Sequence, residues 1–395
     1  MRILHTSDWH LGRSFHRVGL LEAQARVLDH LVDVVVSEGV DAVVVAGDVY
    51  DRALPPVDAV ELLDDVLDRL SATGATVLVT SGNHDSAQRL GFGARRSARA
   101  GVHLRTRPAS AADPVLLEDR HGPVALYGVP YLEPALVADD LGVARTHQAV
   151  LGAVAGRVRA DLARRPAGTR SVLAAHAFVT GGQVSDSERD ISVGGVGAVS
   201  AALFDGIDYV ALGHLHGRQQ VAERARYSGS PVAYSFSEHR HSKGSWLVEL
   251  GRRGVERVDA VDAPVPRRLA VLRGTLDELL ADPRHEAAEG AWCQVTLTDA
   301  ERPAEPMERL RSRFPHTLQL LFAPEGRRRE ERSYADRVAG LGDLDLCCSF
   351  VDHVRGRAAS PQERAVLAAA LEQQRLDTPV APLPAAVAPD VEGAA

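Results

Sequence analysis

The chain is predicted to fold as an α/β protein, and three observations carry that expectation. Strand-like and helix-like segments alternate across residues 1–80. Short β-type runs crowd together after His216. Five separate apolar runs close on Asp, Asn or His, as strands do when they present polar side chains at their carboxyl ends.

The first such run, Ile3-Leu-His-Thr-Ser-Asp8-Trp-His10, opens the chain. Leu21, Ala25, Leu28, Val32 and Val35 then recur at spacings of three and four, an amphipathic helix over 20–36. The run Asp41-Ala-Val-Val-Val-Ala46 leads into Gly47-Asp48. Pro55-Pro56 opens a second helix with Val60, Leu63, Leu67 and Leu70 as its apolar stripe, and Gly74 stops it. A third run over 75–80 ends in Gly82-Asn83-His84-Asp85. That β-α-β-α-β order implies a parallel sheet with right-handed crossovers.

A helical pattern resumes at 86–100, followed by β-type runs at 102–104 and 124–131 and a helix at about 144–164. The fourth run, Ser171-Val-Leu-Ala-Ala-His176, precedes a Gly-, Ser- and charge-rich loop over 181–199, long enough to be functional. The fifth is Tyr209-Val-Ala-Leu-Gly213-His214-Leu-His216. Beyond it, runs at 226–234, 244–250 and 255–260 are expected to pair antiparallel as a second sheet.

A break at Asp262-Ala-Pro-Val-Pro-Arg267 closes a first domain, 1–262. Residues 268–325 read as a small α+β module: strands at 269–273, 292–298 and 318–322, helices near 275–281 and 305–313. The charge run Arg327-Arg-Arg-Glu-Glu-Arg332 is a solvated helix or linker. Residues 343–376 form two helices around Gly356. The second opens with Ser360 as N-cap, Pro361 at N1 and Glu363 closing a capping box. The Pro- and Ala-rich tail, 377–395, is expected to be disordered.

With 395 residues, 45% apolar and 25% charged, the composition is that of an ordinary globular protein of two or three structural units. The N-terminus lies on a ligand-bearing strand without a basic stretch and apolar core, so no signal peptide is expected. No run approaches the roughly 18 apolar residues of a membrane span. Cys293, Cys347 and Cys348 lack metal-ligand spacing and suit a reducing, cytoplasmic compartment. The net charge of −8 argues against an autonomous nucleic-acid binder, unless charge is segregated by domain. Lys243 is the only lysine, so phosphate contacts would fall to arginine.

A single His at a strand end is ordinarily a hydrogen-bonded structural residue; five polar strand endings in one chain point to one metal centre assembled at the edge of a sheet. Phosphodiester cleavage needs charge neutralised on the phosphoryl group and a nucleophile made from water, which two divalent ions about 3.5–4 Å apart supply together. The available ligands are Asp8, His10, Asp48, Asn83, His176, His214 and His216. Asp48, with no second carboxylate beside it in the set, is the expected bridge. His84 is left over, suited to protonating the leaving oxygen or stabilising the pentavalent phosphorus, with Asp85 placed to orient it. Imidazole-rich ligation disfavours magnesium and suits manganese, iron or zinc. Asp51 reads equally as a turn acid or an active-site one. Arg89, Arg95, Arg96 and Arg99 are candidate contacts for a phosphodiester backbone, such as that of DNA.

Asp8-x-His10, Gly47-Asp48-x-x-Asp51, Gly82-Asn83-His84-Asp85, His176 and Gly213-His214-x-His216 resemble the five motifs of calcineurin-like metallophosphoesterases. The opening dodecapeptide, Tyr227-Ser-Gly-Ser-Pro231 and Ser235-Phe-Ser-Glu238 more closely resemble the nuclease-subunit family of bacterial SbcCD complexes. The resemblance implies a β-sandwich flanked by helices, with a capping domain at 268–325 and C-terminal helices. It implies that Asp8, His10, Asp48 and His216 hold one ion, that Asp48, Asn83, His176 and His214 hold the other, most simply as Mn2+, and that His84 is the catalytic histidine. It further implies a homodimer through helices at 56–71 and 86–100, and docking of 343–376 on an SbcC-type coiled-coil ABC ATPase. The implied activity is ATP-regulated exo- and endonuclease cleavage of DNA ends and hairpins in repair, recombination and replication. Archaeal and eukaryotic relatives place a histidine where this chain has Asp51, so phosphate positioning there is expected to differ. A phosphodiesterase for small molecules such as cyclic nucleotides would have little use for residues 268–376, and a non-enzymatic scaffold would not keep the full ligand set with His84.

Overall fold

The computed structural model describes residues 1–188, 197–324, 341–355 and 357–377. Strand β1 (Arg2–Thr6) is followed by a small hairpin, β2 (Ser14–Phe15) and β3 (Val18–Gly19), then by helix α1 (Leu21–Ser37), β4 (Ala42–Ala46), α2 (Val57–Ala72) and β5 (Thr76–Thr80). Two short helices, α3 (Ala87–Leu90) and α4 (Ala94–Ser97), lead to β6 (Val102–Arg105) and the hairpin of β7 (Val115–Asp119) and β8 (Gly122–Val129). Then come α5 (Pro134–Leu141), α6 (His147–Leu162), β9 (Arg170–His176), β10 (Tyr209–Gly213), β11 (Gln219–Gln220), β12 (Ala225–Tyr227), β13 (Gly244–Gly251) and β14 (Gly254–Asp262).

Among the described residues these make two six-stranded sheets, ordered β14-β13-β1-β4-β5-β6 and β11-β12-β10-β9-β8-β7. Strand β4 shows why they stack. Ala42, Val44 and Ala46 share one apolar cluster with Leu78 of β5 and with Leu126, Val172, Ala174 and Ala211 of the second sheet. The alternate residues Val43 and Val45 pack with Leu28 of α1 and Leu63 and Val66 of α2. A strand covered on both faces reads as a continuous apolar run, as β4 does. On the far side of the second sheet, Tyr127, Leu173 and Leu212 pack with Val150, Val154 and Val158 of α6. The result is four layers: helices, sheet, sheet, helices. Each fully buried valine or leucine contributes roughly 1.5–3 kcal/mol of transfer free energy.

Several sequence expectations need correction. The hairpin at 244–262 does not start a second sheet. It extends the first one, β13 running antiparallel to β1 with Arg2 opposite Glu249 and His5 opposite Trp246. The parallel run of strands leaves that edge of β1 open, and the hairpin, arriving from far along the chain, fills it. The run at 226–234 is a strand only to Tyr227, because Gly229 turns the chain with φ +75°. The helix expected over 86–100 is broken at Gly91 and at Gly93, whose φ of +76° is left-handed. Strand β7 and helix α5, the latter capped by the Glu133 side chain on Ala135 N–H, have no counterpart among the sequence expectations.

Close packing divides the chain into two units. One comprises Met1–Val271, Glu286–Gln294 and His316–Gln319; the other comprises Leu272–His285, Val295–Pro315 and the described part of Leu320–Ala395. Strands β15 (Leu269–Gly274), β16 (Trp292–Leu297) and β17 (Thr317–Phe322) form a three-stranded sheet in that order. Helix α7 (Leu276–Ala281) begins with a Thr275–Glu278 capping box, and α8 (Pro306–Arg311) has proline in its first turn. The C-terminal helices are α9 (Asp343–Arg355) and α10 (Pro361–Asp377). Ser360 Oγ accepts Glu363 N–H at 3.2 Å and the Glu363 carboxylate accepts Ser360 N–H at 2.8 Å, the box expected from sequence. The charge run at 327–332, Gly356 and the tail from 378 on lie outside the described residues. No helix among the described residues is long and apolar enough to cross a membrane.

Candidate metal centre

The polar strand endings do not meet at the edge of one sheet, as the sequence suggested. Asp8 follows β1, Asp48 follows β4 and Asn83 follows β5 in the first sheet; His176 ends β9 and His214 follows β10 in the second. The site sits where the carboxyl ends of both sheets come together. Two glycines allow the approach: a Cβ on Gly82 would lie 2.1 Å from Asp48 Oδ1, and one on Gly213 1.8 Å from the Ala46 carbonyl oxygen. The backbone at Asp8, His10, Asp48 and His214 has φ of +54°, +45°, +49° and +112°. Non-glycine residues held there cost of order 1–3 kcal/mol each, and the cost is concentrated on the candidate ligands.

Three groups of side chains bring ligand atoms within 4.8 Å of one another: Asp8, His10 and His216; His10, Asp48 and His84; and Asp8, Asp48 and His176. All but His84 are buried. Asn83 joins them through Oδ1, 2.9 Å from His176 Nε2. His214 lies outside these three groups, its ring centre 5.3 Å from that of His176, while its backbone N–H donates to Asp8 Oδ1 at 2.9 Å.

The donor set fits a cation. His176 Nδ1–H donates to the Ala46 carbonyl at 3.0 Å, so the ring, when neutral, turns a bare Nε2 toward Asn83 Oδ1 and toward Asp48 Oδ2, 3.5 Å away. Likewise His10 and His216 face each other through their Nε2 atoms at 3.1 Å, and His10 Nδ1 is buried without a hydrogen-bond partner. Lone pairs converge on the same space from several directions. Burial, followed by repulsion from its neighbours, holds His214 down at about 3, and burial holds His10 well below the usual imidazole range. Burial alone would raise Asp48, but His176 and His10 outweigh it and hold its carboxyl low. Burial pushes Asp8 up to about 6, and at His176 the attraction of Asp48 outweighs burial to raise the ring to about 9. At His10, His214 and Asp48 the result is neutral imidazole beside ionised carboxylate, the form in which these groups ligate metal.

His84 is held by Asp51, whose backbone carbonyl accepts Nδ1–H at 2.8 Å, and its own N–H donates to Asp48 Oδ1 at 2.8 Å. Asp85 acts elsewhere: its carboxylate accepts the amides of Gly82, Tyr50 and Val49 at 2.8, 2.9 and 3.1 Å and so staples one ligand loop to the other. The orientation of the His84 ring is thus set by Asp51 rather than by Asp85.

Behind His216 lies a group that sequence reasoning missed. Ser187 Oγ sits 2.6 Å from His216 Nδ1 and donates to Glu238; Glu188 accepts His216 N–H at 2.8 Å. Glu238 pairs with Lys243, whose Nζ also donates to the His216 carbonyl at 2.8 Å. Both are almost fully buried. A lone lysine in an arginine-rich chain was the available signal. Gln24 similarly fixes the first ligand loop, its amide donating to the Trp9 and His10 carbonyls at 3.0 and 2.8 Å. The candidate DNA contacts Arg89, Arg95, Arg96 and Arg99 are exposed on and after α3 and α4.

The calcineurin-like phosphoesterase family model matches residues 1–218, and that of the type 5 capsule protein repressor C-terminal domain matches residues 265–355. Among curated proteins, the D subunit of the nuclease SbcCD from Staphylococcus saprophyticus is 32% identical over 325 residues, 81% of this chain and 84% of that protein. Among solved structures, TT1561 of Thermus thermophilus is 14% identical with a TM-score of 0.38, covering 66% of this chain and 98% of that one. A dimetal phosphatase from Danio rerio is 15% identical with a TM-score of 0.38, covering 67% and 99%.

Proposed function

The chain belongs to the calcineurin-like phosphoesterase family, in the group of SbcCD D subunits, and on that premise we propose that it is a metal-dependent nuclease hydrolysing phosphodiester bonds in DNA. The observation that carries the proposal is the buried convergence of strand endings from two sheets on one cluster of Asp, Asn and His. In this reading Asp8, His10, Asp48 and His216 hold one ion and Asp48, Asn83, His176 and His214 the other, with manganese the proposed metal. Two such ions, when bound, supply charge neutralisation at the phosphoryl group and activation of water.

The chain's own residues do the rest. Asp48 lies between the two halves of the ligand set, within 3.6 Å of His10 Nε2 and 3.5 Å of His176 Nε2, as a bridge must. His84, its ring oriented by the bond from Nδ1 to the Asp51 carbonyl, holds the proton for the leaving oxygen in this reading. Asp85 fixes the loop that carries His84, and Ser187, Glu188 and Glu238 fix the ring and backbone of His216. We assign residues 268–325 to a capping domain. Residues 343–376 dock on an SbcC-type coiled-coil ABC ATPase, through which ATP regulates processing of DNA ends and hairpins in repair and recombination. The functional form is a cytoplasmic homodimer through the segments 56–71 and 86–100, where Val57, Val60 and Phe92 stand exposed.

The test is DNA cleavage by the purified chain with manganese and with chelator. His84→Ala is expected to keep two ions and to lose cleavage by about 10²- to 10⁴-fold, while Asp48→Ala loses both ions and activity. A metal-loaded wild type that cleaves small phosphodiesters but no DNA would overturn the nuclease reading. Loss of an ion in His84→Ala would make that residue a ligand.

A further inference from the structure

Arg13 lies three residues beyond His10, and its N–H closes a turn on the His10 carbonyl at 3.0 Å. Its guanidinium lies over the Tyr234 ring, 4.9 Å from the centroid. That ring in turn meets the edges of His10 and His216, with centroids 5.3 and 5.6 Å apart. The cation is therefore packed onto the same aromatic wall that backs two candidate ligands. Nη2 donates to the Ser187 carbonyl at 2.9 Å, which fixes the direction of the planar group. Nη1 is buried and has no hydrogen-bond partner.

An arginine with a purely structural task ordinarily engages its buried N–H groups, so an unengaged one calls for an explanation. Its ion-pair partner is Asp51, but Oδ1 stands 3.6 Å away, beyond hydrogen-bond range. The Asp51 carboxylate also stands 3.6 Å from His10 Nδ1 and 3.6 Å from Arg52 Nε, so it balances three donors without engaging any of them closely. It offsets the positive charge while leaving the hydrogen-bonding capacity of the buried Nη1 unused. A guanidinium presents donors matched to phosphate oxygens, and this one borders the candidate metal centre.

We propose that Arg13 binds a non-bridging oxygen of the scissile phosphate, doing in this chain, with Asp51 as its counter-ion, the phosphate positioning expected to differ at this site. The assignment rests on the phosphodiesterase reading above. Donors already aimed at the phosphoryl oxygens stabilise charge without reorganising during the reaction.

The experiment uses the full-length chain loaded with manganese, as wild type, Arg13→Met and Arg13→Lys. Methionine keeps an unbranched stem over Tyr234, and lysine keeps the charge without the fork. Metal content, calorimetric affinity for inorganic phosphate, and kcat and KM on bis(p-nitrophenyl) phosphate are read for each. Arg13→Met is expected to retain both ions, to bind phosphate roughly 10-fold or more weakly, and to lose about 10²-fold in kcat; Arg13→Lys recovers part of the phosphate affinity. Unchanged phosphate affinity in Arg13→Met overturns the proposal and returns Arg13 to a packing role. So does loss of metal from both variants, which would make it scaffold. A wild type that binds ions and phosphate in an Arg13-dependent way yet cleaves no DNA would overturn the nuclease reading and leave this assignment standing.

Discussion

At the scale of single residues, the buried charges outside the site are as informative as those within it. Arg170, 2% exposed, donates to both oxygens of Asp119 at 2.6 and 3.0 Å and to the carbonyls of Gly122 and Gly251. The N-terminal ammonium of Met1 also donates to Asp119, at 3.0 Å. The Arg170 guanidinium holds the Asp119 carboxyl well below the usual carboxylate range. A carboxyl depressed on folding contributes stability that is fully present above its unfolded value, 3.8, and is lost as pH falls toward the folded one. Asp119→Asn leaves a buried cation without its counter-charge and is expected to cost about 3 kcal/mol at neutral pH. The gap from wild type in urea unfolding should stay constant between about pH 5 and 8 and close only below about pH 4. A gap that narrows between pH 5 and 8 would assign the effect to some other group. The candidate ligands were legible as residues because each sits in a short motif that needs only adjacent sequence. Arg13, Ser187, Glu238 and Lys243 were not, because each acts through a contact with a residue far away in the chain.

At the scale of elements, strand ends and helix breaks decide what reaches the surface near the site. Because Gly91 and Gly93 break the segment after Asp85, Arg89, Arg95, Arg96 and Arg99 lie on short turns rather than along one helical face. Reversing Arg95 and Arg96 to glutamate together is expected to flatten the salt dependence of DNA binding by about two phosphate contacts. An unchanged slope in a salt titration would leave these arginines merely solvating the turns. The C-terminal pair presents the opposite chemistry. Helix α9 has no buried residue, and Leu346, Phe350, Val354 and, on α10, Val366 stand 40%, 57%, 51% and 69% exposed. Apolar stripes on so short a pair want a partner. Removal of 343–395 is expected to leave metal-dependent cleavage of single-stranded DNA while abolishing co-purification with the coiled-coil ATPase. Aggregation or loss of that cleavage would place the helices in the core instead.

At the scale of the whole molecule, the sequence by itself determined the α/β class, the parallel core of the first sheet and the identity of the candidate ligands. Those properties are local: a strand covered on both faces must be apolar throughout, an amphipathic helix must repeat every three to four residues, and a polar turn must follow each strand it terminates. Only the tertiary structure decided that the candidate ligands come from two sheets rather than one, that the 244–262 hairpin completes the first sheet beside β1, and that Asp51 rather than Asp85 orients His84. Strand order and sheet partnership are contacts between segments far apart in the chain. Hydrophobic periodicity records that a face is buried but not what buries it, so the same pattern in β13 serves an edge of either sheet until the fold chooses.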